Sequence, residues 1–227
     1  MTPRPASAAP AAQAPAGRAA SRAAGHAAAG TAKEKILATA FRLFYAQGFR
    51  AAGIDTIIAE SGVAKATFYK YFPAKDDLIL AYLEKVDGVW SRELHAAAEA
   101  AGDDPAAQLV GLFDALTIAC RRDGYRGCAF INAAAESLAG TRVHDRTVAH
   151  KQQILAWIRD LAARAGAGNP DQLARSLTLL LDGGLASGVL DGSPDAASAA
   201  RSTAAQLVAV SLKTPTAPQV TRSRQLG

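Results

Sequence analysis

The sequence has few cysteines, few aromatic side chains and no long apolar run, and each shortage narrows the possible fold and setting. Two cysteines among 227 residues, Cys120 and Cys128, cannot form the disulfide scaffold of a small secreted domain. Aromatic residues make up 6% of the chain while alanine is abundant, which favours closely packed helices over a β-sandwich. No apolar run is long enough to span a bilayer, and residues 1–30 lack the apolar segment of a signal peptide. We therefore expect a cytoplasmic helical protein that does not contact a membrane.

Sequence motifs that carry catalysis or bind metals are also missing. The chain contains no glycine-rich phosphate loop, no nucleophile elbow and no paired-histidine metal motif. Residues 184–188, GLASG, have the spacing of G-x-S-x-G, but Ala186 stands where the nucleophile would be. His144 and His150 are six residues apart, which does not place them on adjacent turns of one helix face. We predict that the protein is not an enzyme and holds neither a cofactor nor a metal.

Positive charge is concentrated in the first third of the chain. The formal net charge is +5, and residues 1–32 contribute three arginines and no acidic residue. Residues 33–75 carry seven Lys or Arg against three acidic residues, whereas the remaining two thirds are slightly acidic. This asymmetry indicates a polyanionic partner for the N-terminal part, with an ordinary solvated surface as the alternative.

Helical periodicity runs along most of the chain, and no stretch alternates as a β-strand does. The first thirty or so residues are rich in alanine, proline and arginine and contain almost nothing large to bury. Three short helices are predicted next, followed by about six more. The predicted elements are a helix from Lys33 to near Gly48, then 54–61, 65–72, one from Asp76, one carrying Leu109 to Cys120, 128–138, 143–165, one carrying Leu173 to Leu185, and 195–212.

The stretch GVAKATFYKYF, residues 62–72, predicts the second half of a helix-turn-helix unit. Gly62 separates two short helices, and in DNA-binding versions of this arrangement the second helix enters the major groove. At about 100° per residue, Phe68 and Phe72 lie about 40° apart and form a buried edge. Ala66 and Lys70 then lie on the opposite side, where a DNA groove or solvent would meet them.

The outward residues of this helix suit the chemistry of DNA. Alanine permits close approach of the backbone and contacts a thymine methyl, while lysine reaches guanine acceptors or phosphate. The hydroxyls of Thr67 and Tyr69 can donate to phosphate oxygens. A helical hairpin that serves only as scaffold, with a solvated polar face, is the alternative interpretation.

These residues resemble the TetR/AcrR family of transcriptional regulators. The resemblance is carried by ILATAFRLFYAQGF at 36–49 and GIDTIIAESGVAKATFYKYFPAKDDLILAYL at 53–83, and more loosely by GCAFINAAAE at 127–136. It implies an all-α fold with a three-helix DNA-binding domain and a helical domain that dimerises and binds a small-molecule effector. The implied function is a regulator, most often a repressor, that binds a near-palindromic double-stranded DNA operator as a homodimer and is released by the effector.

The resemblance also implies domain limits and DNA contacts. The expected divisions are a disordered tail at 1–31, a DNA-binding domain at 32–75, an effector and dimerisation domain at 76–213, and a flexible tail at 214–227. Asp55, in the second helix, is expected to repel phosphate unless it caps that helix. The residues expected to contact bases or phosphates are Lys65, Ala66, Thr67, Tyr69, Lys70, Tyr71 and Lys75.

Apolar residues of the C-terminal helices are candidates for the effector pocket and the dimer interface, although each could instead fill the core of its own subunit. The pocket candidates are Leu112, Phe113, Leu116, Asn132, Trp157, Ile158 and Leu177. A four-helix contact between subunits would use the last two helices. The interface candidates are Leu177, Leu180, Leu181, Gly184, Leu185, Leu207 and Val208.

Some alternatives stay open on the sequence alone. Cys120 and Cys128 flank a loop and are interpreted as buried, inert thiols, with a disulfide or a thiol sensor as the alternative. The arginine-bearing tail either adds affinity for nucleic acid or is a dispensable extension. A helical adaptor whose DNA-binding head no longer functions is the main rival to the regulator.

Overall fold

The computed structural model describes residues 30–191 and 195–213, and every regular element within these ranges is an α-helix. The predicted tails, apart from Gly30 and Thr31, lie outside the described residues. The helices in chain order are α1 (Ala32–Gln47), α2 (Ile54–Ser61), α3 (Lys65–Tyr71), α4 (Lys75–Glu99), α5 (Pro105–Gly111), α6 (Asp114–Cys120), α7 (Ala129–Glu136), α8 (Arg142–Arg164), α9 (Pro170–Asp191) and α10 (Asp195–Lys213).

The first three helices form a small unit around one apolar stripe. Ile36, Ala40, Leu43 and Phe44 of α1 are buried, at the i, i+4, i+7, i+8 positions that the sequence predicted. Helix α2 ends at Gly62, whose φ of 66° lies in the left-handed region that glycine adopts at little cost. Helices α2 and α3 both pack against α1, so the helix-turn-helix pair rests on the first helix.

Helix α4 connects this unit to the rest of the protein. Its start is capped by Asp77, whose carboxylate accepts a hydrogen bond from the Ala74 amide at 3.0 Å. Near its N-terminus Tyr82 is buried, and its ring lies 5.7 Å from that of Phe44 and 5.6 Å from that of Phe49. Further along, α4 packs against α5, α6, α7 and α8, so one continuous helix contacts both parts.

The helix predicted around Leu109 to Cys120 is interrupted in the structure. Helices α5 and α6 are separated by a turn at Leu112 and Phe113. The amides of Phe113 and Leu116 donate to carbonyls three residues earlier, at 3.2 Å and 3.1 Å. This tighter turn keeps apolar side chains at spacings of three and four residues, and Leu112 and Phe113 are both fully buried. The spacing of apolar residues in the sequence therefore does not reveal the interruption.

Helix α9 is apolar enough to qualify as a membrane span by length and composition, contrary to our expectation of no such run. Within Pro170–Leu190 an 18-residue window has a mean hydropathy of 1.3, and 39% of that window is buried. Core helices of soluble proteins meet the same criterion, and α9 packs against α8 and α10. Its Asp182 is also ion-paired with Lys151 of α8, which fits a helix packed within a protein.

Candidate nucleic-acid interface and internal cavity

Two phenylalanines hold α3 against the body of its domain. Phe68 is 0% exposed and Phe72 is 3% exposed, and their ring centroids are 6.2 Å apart. The prediction that both rings turn inward is confirmed. Because α3 has only two turns, burying this edge leaves its other side chains at the surface.

The remaining residues of α3 form an accessible polar surface. Lys65, Ala66, Tyr69, Lys70 and Tyr71 are exposed and Thr67 is half-buried; we call these six residues the α3 surface. The tyrosines are each 40% exposed although both are aromatic. Lys75, the seventh predicted contact, is half-buried in the first turn of α4. The structure thus leaves every predicted DNA contact at least partly accessible.

One acidic side chain, that of Asp55, lies beside the α3 surface and offsets part of its positive charge. Asp55 does not cap α2, whose N-cap is Gly53, and its carboxylate instead lies 3.4 Å from the Lys65 ammonium. Both side chains are mostly exposed, so this pair is weak and open to exchange with phosphate. Lys70 has no ion pair among the described residues, and its charge is therefore available to a ligand.

Hydrogen bonds tie the unit of α1, α2 and α3, the predicted DNA-binding unit, to the C-terminal part at two points that the sequence did not indicate. The Glu136 carboxylate accepts from the Arg50 amide at 2.8 Å, and the Tyr45 hydroxyl accepts from the Arg126 amide at 2.9 Å. Gly48 lies against Glu136, with a φ of 83° and an ideal Cβ that would come within 2.5 Å of the carboxylate. Burial lowers the pKa of Lys75, and the negative charges of Glu136 and Asp76 offset part of that shift.

A cavity of about 330 Å³ lies where these two parts meet. Its walls come from α1, α4, α7, α9, the end of α6 and the loop between α6 and α7. Apolar and aromatic side chains dominate, with a charged group of Glu93, Arg122 and Asp123. The aromatic lining residues are Phe41, Tyr45, Trp90, Tyr125 and Phe130.

None of the seven pocket residues predicted from the sequence lines this cavity. Leu112, Phe113, Leu116, Ile158 and Leu177 are all 0% exposed and belong to the packed core. Trp157 is half-buried and stacks on His95 with ring centroids 4.2 Å apart. Asn132 is exposed and lines a neighbouring, more polar cavity of about 390 Å³, where its amide donates to the Arg126 carbonyl at 2.9 Å. The cavity wall and the predicted set therefore do not coincide.

A buried polar cluster connects α4 to α8 beside this cavity. Asp87 of α4 accepts from Arg146, from His150 Nδ1 at 2.8 Å and from Ser91 Oγ at 3.0 Å. The His150 ring is 1% exposed and stacks on Phe130 with ring centroids 3.6 Å apart. Because a carboxylate only accepts, His150 carries its proton on Nδ1, and its Nε2 has no partner among the described residues.

The pKa values in this cluster favour neutral histidine and ionised aspartate. Burial lowers the pKa of His150 below its ordinary value, although Asp87 opposes that shift. Burial alone would raise the pKa of Asp87, but hydrogen bonds from Arg146 and His150 outweigh it and hold that pKa below its usual range. The cluster is thus a half-buried ion pair extended by a buried, neutral imidazole.

The predicted dimer residues mostly face the protein's own core. Leu177, Leu181, Gly184, Leu185 and Val208 are buried, while Leu180 and Leu207 are half-buried. A different stripe of α9 is exposed, with Leu179 at 73% and Leu190 at 83%. Gly183 and Ala186 lie between them on the same side, and we call these four residues the α9 outer face. On α10, Val210 is also exposed, at 65%.

The two cysteines are free thiols in this structure. Cys128 is buried and lines the cavity, while Cys120 is half-buried. Burial raises the pKa of Cys120, and a hydrogen bond with Tyr125 opposes that shift in part. Cys120 also packs so closely on α9 that a Cβ at Gly188 would lie 2.5 Å from its sulfur.

Comparisons with known proteins agree with this architecture. Residues 36–82 match the family described as bacterial regulatory proteins, tetR family. An uncharacterized HTH-type transcriptional regulator YxaF of Bacillus subtilis is 46% identical over 50 residues, which cover 22% of this chain and 26% of that protein. HTH-type transcriptional regulator LmrA of the same organism is 34% identical over 73 residues, covering 32% of this chain and 39% of that protein. The matched segments span less than half the length of these curated relatives.

Solved structures extend the similarity over most of the chain. SCO4454, a TetR-family transcriptional regulator from Streptomyces coelicolor, is 34% identical with a TM-score of 0.75, covering 80% of this chain and 96% of that one. A putative TetR transcriptional regulator from Streptomyces avermitilis, at 23% identity and a TM-score of 0.72, covers 80% of this chain and 98% of that one and shares the fold.

The matched proteins are transcriptional regulators and not enzymes, and the helix-turn-helix head with its accessible polar α3 is that of a DNA-binding regulator. The chain belongs to the TetR family.

Proposed function

We propose that this regulator is a cytoplasmic repressor that binds a near-palindromic operator as a homodimer and leaves it when a small molecule binds. The observation that carries the proposal is the orientation of α3, in which Phe68 and Phe72 are buried and the α3 surface is accessible. Two copies related by two-fold symmetry would present two such helices to two related half-sites.

The residues of the α3 surface divide into two roles in this proposal. Lys65, Ala66 and Thr67 lie in the first turn of α3, which is the part of a recognition helix that meets base edges. Tyr69, Lys70, Tyr71 and Lys75 would contact the phosphate backbone and fix the register of the helix in the groove. Binding should accordingly weaken steeply as salt rises, because phosphate contacts release counterions.

The DNA contact can be tested with duplexes of random sequence. Selection of bound duplexes from such a pool should yield a near-palindromic motif, whereas an adaptor with a vestigial head would enrich none. On that motif, Tyr69→Ala should weaken binding by about tenfold or more in a gel-shift titration, since it removes a hydrogen bond to a charged acceptor.

Arg164→Ala, at the exposed end of α8, is the control and should leave affinity unchanged. Lys65→Ala should weaken binding and also change which base is preferred. Lys70→Ala should reduce the salt dependence of binding and leave the base preference unchanged. If Tyr69→Ala binds as tightly as the parent protein, the proposed docking of α3 is wrong.

The proposed dimer uses the α9 outer face together with α10. Leu179 and Leu190 are large apolar side chains that a monomer would leave in water. Gly183 has open space at the position of a Cβ, which permits a close approach of another helix. Helices α9 and α10 already pack on each other, so pairing two copies would bury this face in a four-helix contact.

Effector release is supported by where the cavity lies. Phe41 and Tyr45 belong to α1 of the DNA-binding unit, and Trp90 belongs to α4, which runs on into the C-terminal helices. A molecule in the cavity would therefore touch both parts at once. Its binding could favour one relative position of the two units and so change the spacing of the two α3 helices in a dimer.

A further inference from the structure

The wall of the cavity combines aromatic side chains with a small group of charged ones. Five aromatic side chains line it, from α1, α4, α7 and the loop after α6, and the electron-rich faces of such rings attract cations. Among the lining residues that the structure describes, the charged ones are Glu93, Arg122 and Asp123. At about 330 Å³ the cavity is at the small end of the range for ligand sites, with room for one or two fused rings.

Glu93 carries an unused hydrogen-bond acceptor. Its Oε1 accepts from Arg122 Nη2 at 2.5 Å, so one oxygen already has a charged donor. Its Oε2 is buried and has no partner among the described residues. Buried carboxylate oxygens are nearly always satisfied, and Oε2 is covered in the present rotamer, so a rotation of the Glu93 side chain into the cavity would present it to a ligand that brings a donor.

The net charge of the lining also favours a ligand that carries a positive charge. Glu93 and Asp123 carry two negative charges, and Arg122 supplies the single positive charge. Because Arg122 pairs with Glu93, the described lining keeps the negative charge of Asp123 in excess, which disfavours an anionic ligand. A ligand with one positive charge would neutralise the site and supply the donor that Glu93 Oε2 lacks.

We propose that the cavity binds a small arylalkylamine in its ammonium form, whose N–H donates to Glu93 Oε2 while its ring packs among Trp90, Phe41 and Phe130. This inference rests on the proposed function, because it assigns a chemical class to the effector. Phe41 lies on α1, so the ring of the ligand contacts the DNA-binding unit directly.

The test compares three compounds of one shape and different charge on the full-length protein without DNA. All three carry an indole ring. Near neutral pH tryptamine is an ammonium cation, tryptophol is a neutral alcohol and indole-3-acetate is a carboxylate anion. Binding is measured by calorimetry and by NMR of the indole N–H resonances of isotope-labelled protein. The chain has two tryptophans, of which Trp90 lines the cavity and Trp157 does not.

The expected result is a shift of the Trp90 resonance with tryptamine, no shift of Trp157, and affinity at least about tenfold greater than that for tryptophol, with no binding of indole-3-acetate. Glu93→Gln should reduce the affinity for tryptamine about tenfold and leave that for tryptophol nearly unchanged. Glu99→Gln, at an exposed position of the same helix, is the matched control.

Several outcomes would overturn the inference. These are equal affinities for the ammonium and the alcohol, unchanged tryptamine binding in Glu93→Gln, a shift confined to Trp157, or no binding of tryptamine at millimolar concentration. The measurement is independent of DNA binding. If tryptamine binds as described but Tyr69→Ala leaves the gel shift unaltered, the docking of α3 fails and the ligand assignment stands.

Discussion

Truncating Asp87 to alanine tests how firmly α4 is held against α8. Asp87 is the common acceptor for Arg146, His150 and Ser91, and its side chain is only 15% exposed. Removing the carboxylate leaves His150 Nδ1–H without its acceptor in a site where Nε2 already has no partner among the described residues. It also leaves the Arg146 guanidinium, 18% exposed, with one ion-pair partner in the described part of the chain, the mostly exposed Glu84 at 3.2 Å.

The size of the effect follows from these remaining contacts. Breaking a buried ion pair by removing one partner costs about 3–5 kcal/mol, because a buried charge is left uncompensated. Arg146 keeps one carboxylate and some access to water, so the lower end of that range applies. We expect Asp87→Ala to lower the free energy of unfolding by about 3 kcal/mol. For a chain of this size that corresponds to a fall in Tm of about 6–12 °C.

Urea unfolding followed by circular dichroism near neutral pH measures this loss. The matched control is Asp160→Ala, because Asp160 is also paired with an arginine, Arg159, at 3.3 Å but is 70% exposed. An exposed pair contributes little, so the control should stay within about 0.5 kcal/mol of the parent protein. The reasoning is refuted if the two alanine variants unfold at the same urea concentration.

Two further predictions concern the histidine and the dimer. Burial lowers the pKa of His150, so the unfolded chain takes up a proton that the folded protein does not, and the free energy of unfolding should fall below about pH 6.5 by up to about 1.4 kcal/mol per pH unit. His150→Gln can still donate to Asp87 but does not titrate, so its urea-unfolding profile should fall less steeply with pH; a slope equal to that of the parent protein contradicts this. Leu179→Arg should convert the proposed dimer to a monomer in sedimentation velocity, because it places a charge on an apolar contact. Leu138→Arg, at a residue of equal 73% exposure outside α9, should not, and a dimer that persists in both variants excludes the α9 outer face as the interface.

Several local features of the fold could be predicted because neighbours along the chain determine them. Helix α2 has the predicted limits, and the ends of α1 and α2 coincide with the glycines that the pattern marked. The division of α3 into a buried edge and an accessible surface follows from helical geometry alone, since Phe68 and Phe72 are one turn apart. The same periodicity could not detect the turn at Leu112 and Phe113, because apolar side chains occupy both sides of it.

The cavity residues were not predicted because no local pattern joins them. Glu93 and Arg122 are 29 residues apart in the chain, and Tyr45 and Arg126 are 81 apart. Each residue by itself is compatible with an ordinary surface or core position. Their common location depends on how α1, α4, α7 and α9 come together at the cavity, and that arrangement is decided by long-range contacts.

The amino-acid sequence by itself determined the helical class, the helix-turn-helix unit and the direction in which α3 faces, because turns and 3.6-residue periodicity act between residues close in the chain. Only the tertiary structure decided that Leu177 is core while Leu179 is exposed, that Asp87 meets His150, and that Glu93 faces an aromatic cavity. These outcomes depend on which face of each helix is covered by another helix, and that is decided only when whole helices pack together.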